Sequence, residues 1–164
     1  MQQYQKFFKP CALGLCVLYL IFILFLPFTV WKFGVEISQN FGDLMSGKIS
    51  YMGSTQEDDA LKSAWVIVPL ICGIGMVAAT AMLPGKKAAA VCAIGAFMAL
   101  IIFWIVRSDL ADGASGASDV IKIGSGPILA LITGLIAAVL CYMSDQGPRR
   151  DTTPGVGRGN GNEW

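Results

Sequence analysis

The chain has 164 residues, of which 55% are hydrophobic and only 14% charged, with a net charge of +1 and no histidine. A soluble domain carries about 25% charged residues, so composition alone points away from a water-soluble globule. Near-neutral charge leaves no electrostatic case for nucleic acid. The missing histidine removes the commonest zinc ligand, the usual haem ligand and the near-neutral proton shuttle.

Residues 1–10 form a short polar segment carrying Lys6 and Lys9, and 21 charge-free residues follow at 11–31. A cationic start before an apolar core also describes a secretory signal. This run is longer than such cores, however, and no small-x-small cleavage motif follows it. It is predicted to be retained as a first membrane span, with Pro27 bending it or marking its last turns. Trp31 and Lys32 suit the interface, where an amphipathic ring and a charge belong.

Residues 32–62 make a first outer loop. Phe33, Ile37, Phe41 and Leu44 recur at three- and four-residue steps, which predicts a short helix along the interface. Lys48-Ile49-Ser50-Tyr51-Met52 alternates weakly and reads as a strand, with Val120-Ile121-Lys122-Ile123 as its best available partner. Glu57, Asp58 and Asp59 place negative charge before the next helix, at its positive end.

The stretch that organises the chain comes next. Residues 63–83 and 88–106 are charge-free runs of 21 and 19 residues, joined only by Pro84-Gly85-Lys86-Lys87. Each is long enough as a helix to cross about 30 Å of hydrocarbon. The Pro-Gly break folds them into a tight antiparallel hairpin. Small residues line both, and Gly75, Ala79, Cys92 and Ala96 are candidate helix-packing or oligomer-interface positions. Small side chains let helices approach closely where lipid removes the hydrophobic drive between them. Phe97, Phe103 and Trp104 are predicted to face lipid or the far interface.

A second outer loop spans 107–119. Asp109, Asp112 and Asp119 are hard-cation ligands by type, but their spacing reads better as a solvated turn in which Ser118 or Asp119 caps the next helix. The fourth span is predicted over 120–143, kinked at Pro127; a start at Ser125 would instead put Pro127 in the first turn and give a shorter span. Its stripe of Gly126, Ala130, Gly134 and Ala138, each four apart, is the most regular small-residue series in the chain. It is a candidate helix contact or homo-oligomer seam. Residues 144–164, rich in Gly, Pro, Asn and Arg, read as a disordered tail.

The two terminal segments and the 84–87 turn hold seven of the Lys and Arg residues, and residues 32–62 and 107–122 hold five. That balance predicts both termini on the cytoplasmic side, in a plasma or inner membrane.

Chemistry is conspicuous by its scarcity. The five cysteines (Cys11, Cys16, Cys72, Cys92 and Cys141) lie inside apolar windows without a CxxC pair and read as buried small hydrophobes. No span carries a charge at depth, whereas proton-coupled carriers place an acid, lysine or histidine there. Thr80 and Thr133 are the polar side chains at depth, and either can satisfy itself on its own helix backbone. Neither a nucleophile–histidine arrangement nor a phosphate-binding glycine loop is present.

These features predict an all-α integral membrane protein, an antiparallel four-helix tetraspan bundle with a small outer-loop helix or two-stranded element. It is expected to have no catalytic activity, cofactor or metal. The expected role is a scaffold, accessory or assembly subunit, whose partners are the lipid bilayer and another membrane protein or a second copy of itself. The alternative is an oligomeric channel or small-solute transporter, using backbone carbonyls freed at Pro69 and Pro127. The layout is similar to that of four-helix tetraspan proteins, with the larger outer loop first. The likeness is one of topology alone: the first loop lacks the cysteines of the claudin-like group, and tetraspanins carry their outer domain in the second loop.

Overall fold

A computed structural model describes residues 2–32, 34, 36–51, 54–113 and 119–146. Among these residues four helices are long and apolar enough to cross a membrane. They are α1 (Gln2–Phe25), α3 (Ile67–Met82), α4 (Gly85–Gly113) and α5 (Ser125–Ser144). Each alternates in direction with the next, and α1 and α4 sit diagonally across a ring in which α3 and α5 touch both. The chain is an integral membrane protein with a tetraspan fold.

Burial explains why these sequences form spanning helices. On α1 the residues sealed from the surface are Ala12, Cys16, Tyr19 and Ile23, at alternating steps of four and three. That is one face of a helix. On α4 the equivalent series runs Ala88, Cys92, Ala96, Ala99, Phe103, Val106 and Leu110. Outward positions carry large apolar side chains instead, such as Ile71, Ile94, Phe97, Ile132 and Val139. Lipid solvates those faces, so bulky apolar side chains are stable there, and the small residues of the buried series let the helices approach closely.

At one end of the bundle the remaining elements form a cap. Strands β1 (Thr29–Lys32), β2 (Glu36–Gln39) and β5 (Ile121–Ile123) make an antiparallel sheet in the order β2-β1-β5. A short helix α2 (Phe41–Ser46) follows, closed at its start by reciprocal bonds between Asn40 and Asp43. Strands β3 (Lys48–Tyr51) and β4 (Ser54–Glu57) pair as a separate two-stranded sheet. Two single-turn 3-10 helices, Asp59–Leu61 and Ala64–Val66, lead into α3. With 29 residues, α4 is about 43 Å long and overreaches a hydrocarbon core of about 30 Å. Its last turns pack into the cap, where Leu110 and Ala111 are buried.

The structure redraws several expected boundaries. The first helix already begins at Gln2 and stops at Phe25. Pro27 ends it, and the apolar residues beyond enter β1, with Trp31 buried rather than at a lipid interface. The expected interfacial helix through Ile37 and Leu44 divides instead into β2 and α2, because Asn40 caps a new helix between them. The strand at Lys48 pairs with β4, while β5 pairs with β1, so the expected pairing of those two segments does not form. The fourth span starts at Ser125, with Pro127 in its first turn, and Ile121–Ile123 is a strand. Phe103 turns inward against Phe28, with ring centroids 6.5 Å apart, while Phe97 and Trp104 remain exposed. The expected tail lies, apart from residues 144–146, outside the described residues.

One close approach locks the cap onto the bundle. The Pro27 carbonyl accepts the Gly126 N–H at 2.9 Å, and the Phe28 carbonyl accepts that of Gly124 at 3.0 Å. A Cβ at Gly124 would strike the Pro27 carbonyl, so only glycine lets the start of α5 lie against the turn that ends α1.

Candidate functional site: a thiol and hydroxyl cluster on the bundle axis

The residues singled out for helix packing distribute unevenly. Gly126, Ala130, Gly134 and Ala138 are all buried among the chain's own helices. At Gly134 a Cβ would stand 2.7 Å from that of buried Ala96, so α4 and α5 meet there with no room for a methyl group. Ala79 and Cys92 are buried as well. Gly75 is not: it is exposed, and a methyl group added there would meet nothing within 4 Å. It lines a shallow apolar groove between α3 and α4 with Cys72, Val91, Ile94 and Gly95.

Near the opposite end from the cap, each spanning helix contributes one polarisable or polar side chain to a common point. Cys16 comes from α1, Thr80 from α3, Cys92 from α4 and Cys141 from α5. The Thr80 hydroxyl lies 3.5 Å from the sulfurs of both Cys16 and Cys92, and the Cys141 thiol donates towards it at 3.9 Å. Across the diagonal, the Cys16 and Cys92 sulfurs are 3.8 Å apart. Cys16, Thr80 and Cys92 are fully buried, and Cys141 is 1% exposed. One turn further along, the Tyr19 hydroxyl donates to the Gly95 carbonyl at 3.1 Å, closing the same diagonal. Such an interhelical bond in a membrane contributes about 0.6–1.7 kcal/mol.

Sequence reasoning named Cys92 only as a packing position and allowed Thr80 to satisfy itself on its own helix. Thr133 does bond its own helix, to Leu129 at 2.8 Å and Ala130 at 3.1 Å, whereas Thr80 reaches across to other helices. The available signal was faint: on each helix the residue falls in the buried three- and four-step series, but nothing in one sequence reveals which series meet. A groove of about 380 Å³ between α1 and α3 is lined by Lys9, Pro10, Leu13, Thr80 and Ala81, and none of the three cysteines lines it. At its mouth the Lys9 ammonium donates to the Leu83 carbonyl at 3.4 Å. The set is soft and lacks an imidazole or carboxylate, and among the described residues no group of three or more His, Cys, Asp or Glu side chains could hold a metal ion.

The charged groups gather on the cap. Lys32 pairs with Glu36 at 2.6 Å and Lys48 with Glu57 at 2.9 Å, and Lys62 pairs with Asp59. Hydrogen bonding to Lys48 holds the Glu57 carboxyl below its ordinary range, and Lys62 does the same for Asp59. The two ammonium groups are raised in return. Asp109 and Asp112 lie on the last turns of α4 and are exposed, as is Asp119. No family model matches the chain, and no curated protein or solved structure matches it.

Proposed function

We propose that the protein is a non-catalytic tetraspan subunit, a scaffold or assembly component that presents its cap to another membrane protein. The termini and the Lys86-Lys87 turn would then face the cytoplasm of a plasma or inner membrane. The observation that carries this reading is the contrast between a closed bundle and an open cap. The bundle axis is filled by the Cys16, Thr80 and Cys92 contacts and by the Tyr19–Gly95 bond. Pro69 and Pro127 both fall in first helical turns, where a missing N–H frees no carbonyl, so the carbonyl-lined path of a channel has no support at either. The cap, by contrast, ends in β4, an edge strand whose four residues are all exposed. Those four residues leave the outer strand of the cap accessible to a partner.

A photoreactive residue placed at Gln56 on β4 tests this in the native membrane. Capture of one discrete other polypeptide is expected from Gln56 and not from Ile94 on the lipid face. Products containing only this chain, or the same products from both positions, would contradict the reading.

A further inference from the structure

We infer that the groove between α1 and α3 binds one phospholipid with an anionic headgroup, its phosphate at Lys9 and an acyl chain against Pro10, Leu13 and Ala81. The inference is independent of the subunit role and of which side of the membrane the termini face. It needs only that this end of the bundle meets a bilayer surface.

Depth is the first argument. The apolar stretch of α1 runs from Phe7 to Phe25, so Lys9 stands within its first turn, about 3 Å from its end. Phe7, beside it in sequence, is exposed. At that level a lysine lays its stem along apolar surface and carries its charge to the headgroups. A charge inside a span is costly unless it is matched. The Lys9 ammonium donates to the Leu83 carbonyl, at the end of α3. Among the described residues no carboxylate pairs with it. An ammonium has three donors, so a phosphate can share it with that carbonyl.

Charge is the second argument. Lys86 and Lys87, exposed at the start of α4 just beyond Leu83, make the same end more positive. Among the described residues the acid at this end is Asp145, and its carboxylate accepts the Lys86 backbone N–H at 3.4 Å. Basic pockets between spanning helices bind anionic headgroups.

The groove supplies a seat for a chain. Apart from Lys9 its lining is Pro10, Leu13, Thr80 and Ala81. Thr80 turns its hydroxyl to the axial sulfurs, so Lys9 is the polar side chain at hand for an occupant. The groove between α3 and α4 makes the contrast. It is smaller, at about 240 Å³, and is lined by Cys72, Gly75, Val91, Ile94 and Gly95, with no charged side chain to select a headgroup.

The test is native mass measurement of the full-length protein released from nanodiscs of phosphatidylglycerol and phosphatidylcholine in equal parts. One phosphatidylglycerol is expected to stay with each chain in preference to phosphatidylcholine, a comparison that needs no variant to fold. Lys9→Gln should reduce the preference about fivefold. Lys9→Arg should keep it, and Lys122→Gln on the cap should leave it unchanged. Ala81→Phe fills the groove with every charge in place and should release the lipid. Glycerol phosphate at millimolar concentration, which carries the headgroup chemistry without a chain, should not compete. The inference is overturned by equal retention of the two lipids, by a preference that survives Lys9→Gln or Ala81→Phe, or by displacement with glycerol phosphate.

Discussion

The Trp31 indole N–H donates to the Gln39 side-chain oxygen at 2.6 Å, and both residues are buried. The same oxygen accepts from the Thr29 hydroxyl at 3.3 Å, while the Gln39 amide donates to the Lys48 carbonyl at 3.2 Å. One side chain thus ties β1, β2 and β3 together and joins the three-stranded sheet to the neighbouring hairpin. Gln39→Ala removes all of these bonds from a buried position. The expected cost is about 1–3 kcal/mol, concentrated in the cap. Hydrogen exchange should show faster exchange in β1, β2 and β3 with the four spanning helices unchanged.

Two glycines predicted for the same packing role should respond oppositely. Gly134→Ala drives a methyl group against Ala96 and should destabilise the α4–α5 contact by about 1–3 kcal/mol. Gly75→Ala meets nothing within 4 Å and should leave stability unchanged, or raise it by up to about 1 kcal/mol through helix propensity. Unfolding midpoints in mixed micelles check the ranking.

Those two positions also mark how far one sequence can be read. Four spans were legible because charge-free windows long enough to cross a bilayer need no knowledge of neighbours. The stripe on α5 was legible for the same reason, since a regular four-residue series stays on one face wherever the helix packs. The rotation of α3 was not, and Gly75 therefore fell on the lipid side. After Pro27 the apolar run carries no mark of its change from helix to strand except the alternating burial of Thr29, Val30 and Trp31, which depends on β2 and β5. The axial cluster was the least visible feature. Cys16 and Cys92 are 76 residues apart, and only the assembled bundle brings them together.

The cap's ion pairs set its pH response. Glu57 and Asp59 are held below their ordinary values of 4.5 and 3.8, so their contribution is fully present above those values. It is lost as pH falls through the lower values of the folded state. Lys48 and Lys62 are held above 10.5, so theirs is present below that value and lost as pH rises through the higher folded-state values. All four groups are exposed to solvent, and salt screens such pairs. Proteolysis within residues 48–62 should therefore be flat from about pH 5 to 10. Below about pH 4 it should rise, and more weakly in high salt, where the pairs contribute less from the outset.

Sidedness can be read directly. Lys9, the 84–87 turn and the end of α5 share one end of the bundle, and the cap occupies the other. A membrane-impermeant thiol reagent should label Gln56→Cys on intact cells, and Lys86→Cys only after the membrane is opened. The reverse pattern would contradict the proposed orientation.

The role as a subunit rests most directly on what leaves the native membrane with this chain in a mild detergent. Native mass measurement of that particle is expected to show a second polypeptide at fixed stoichiometry, held through the exposed strand β4 of the cap. A particle made of this chain alone, as a monomer or as a homo-oligomer, would contradict it.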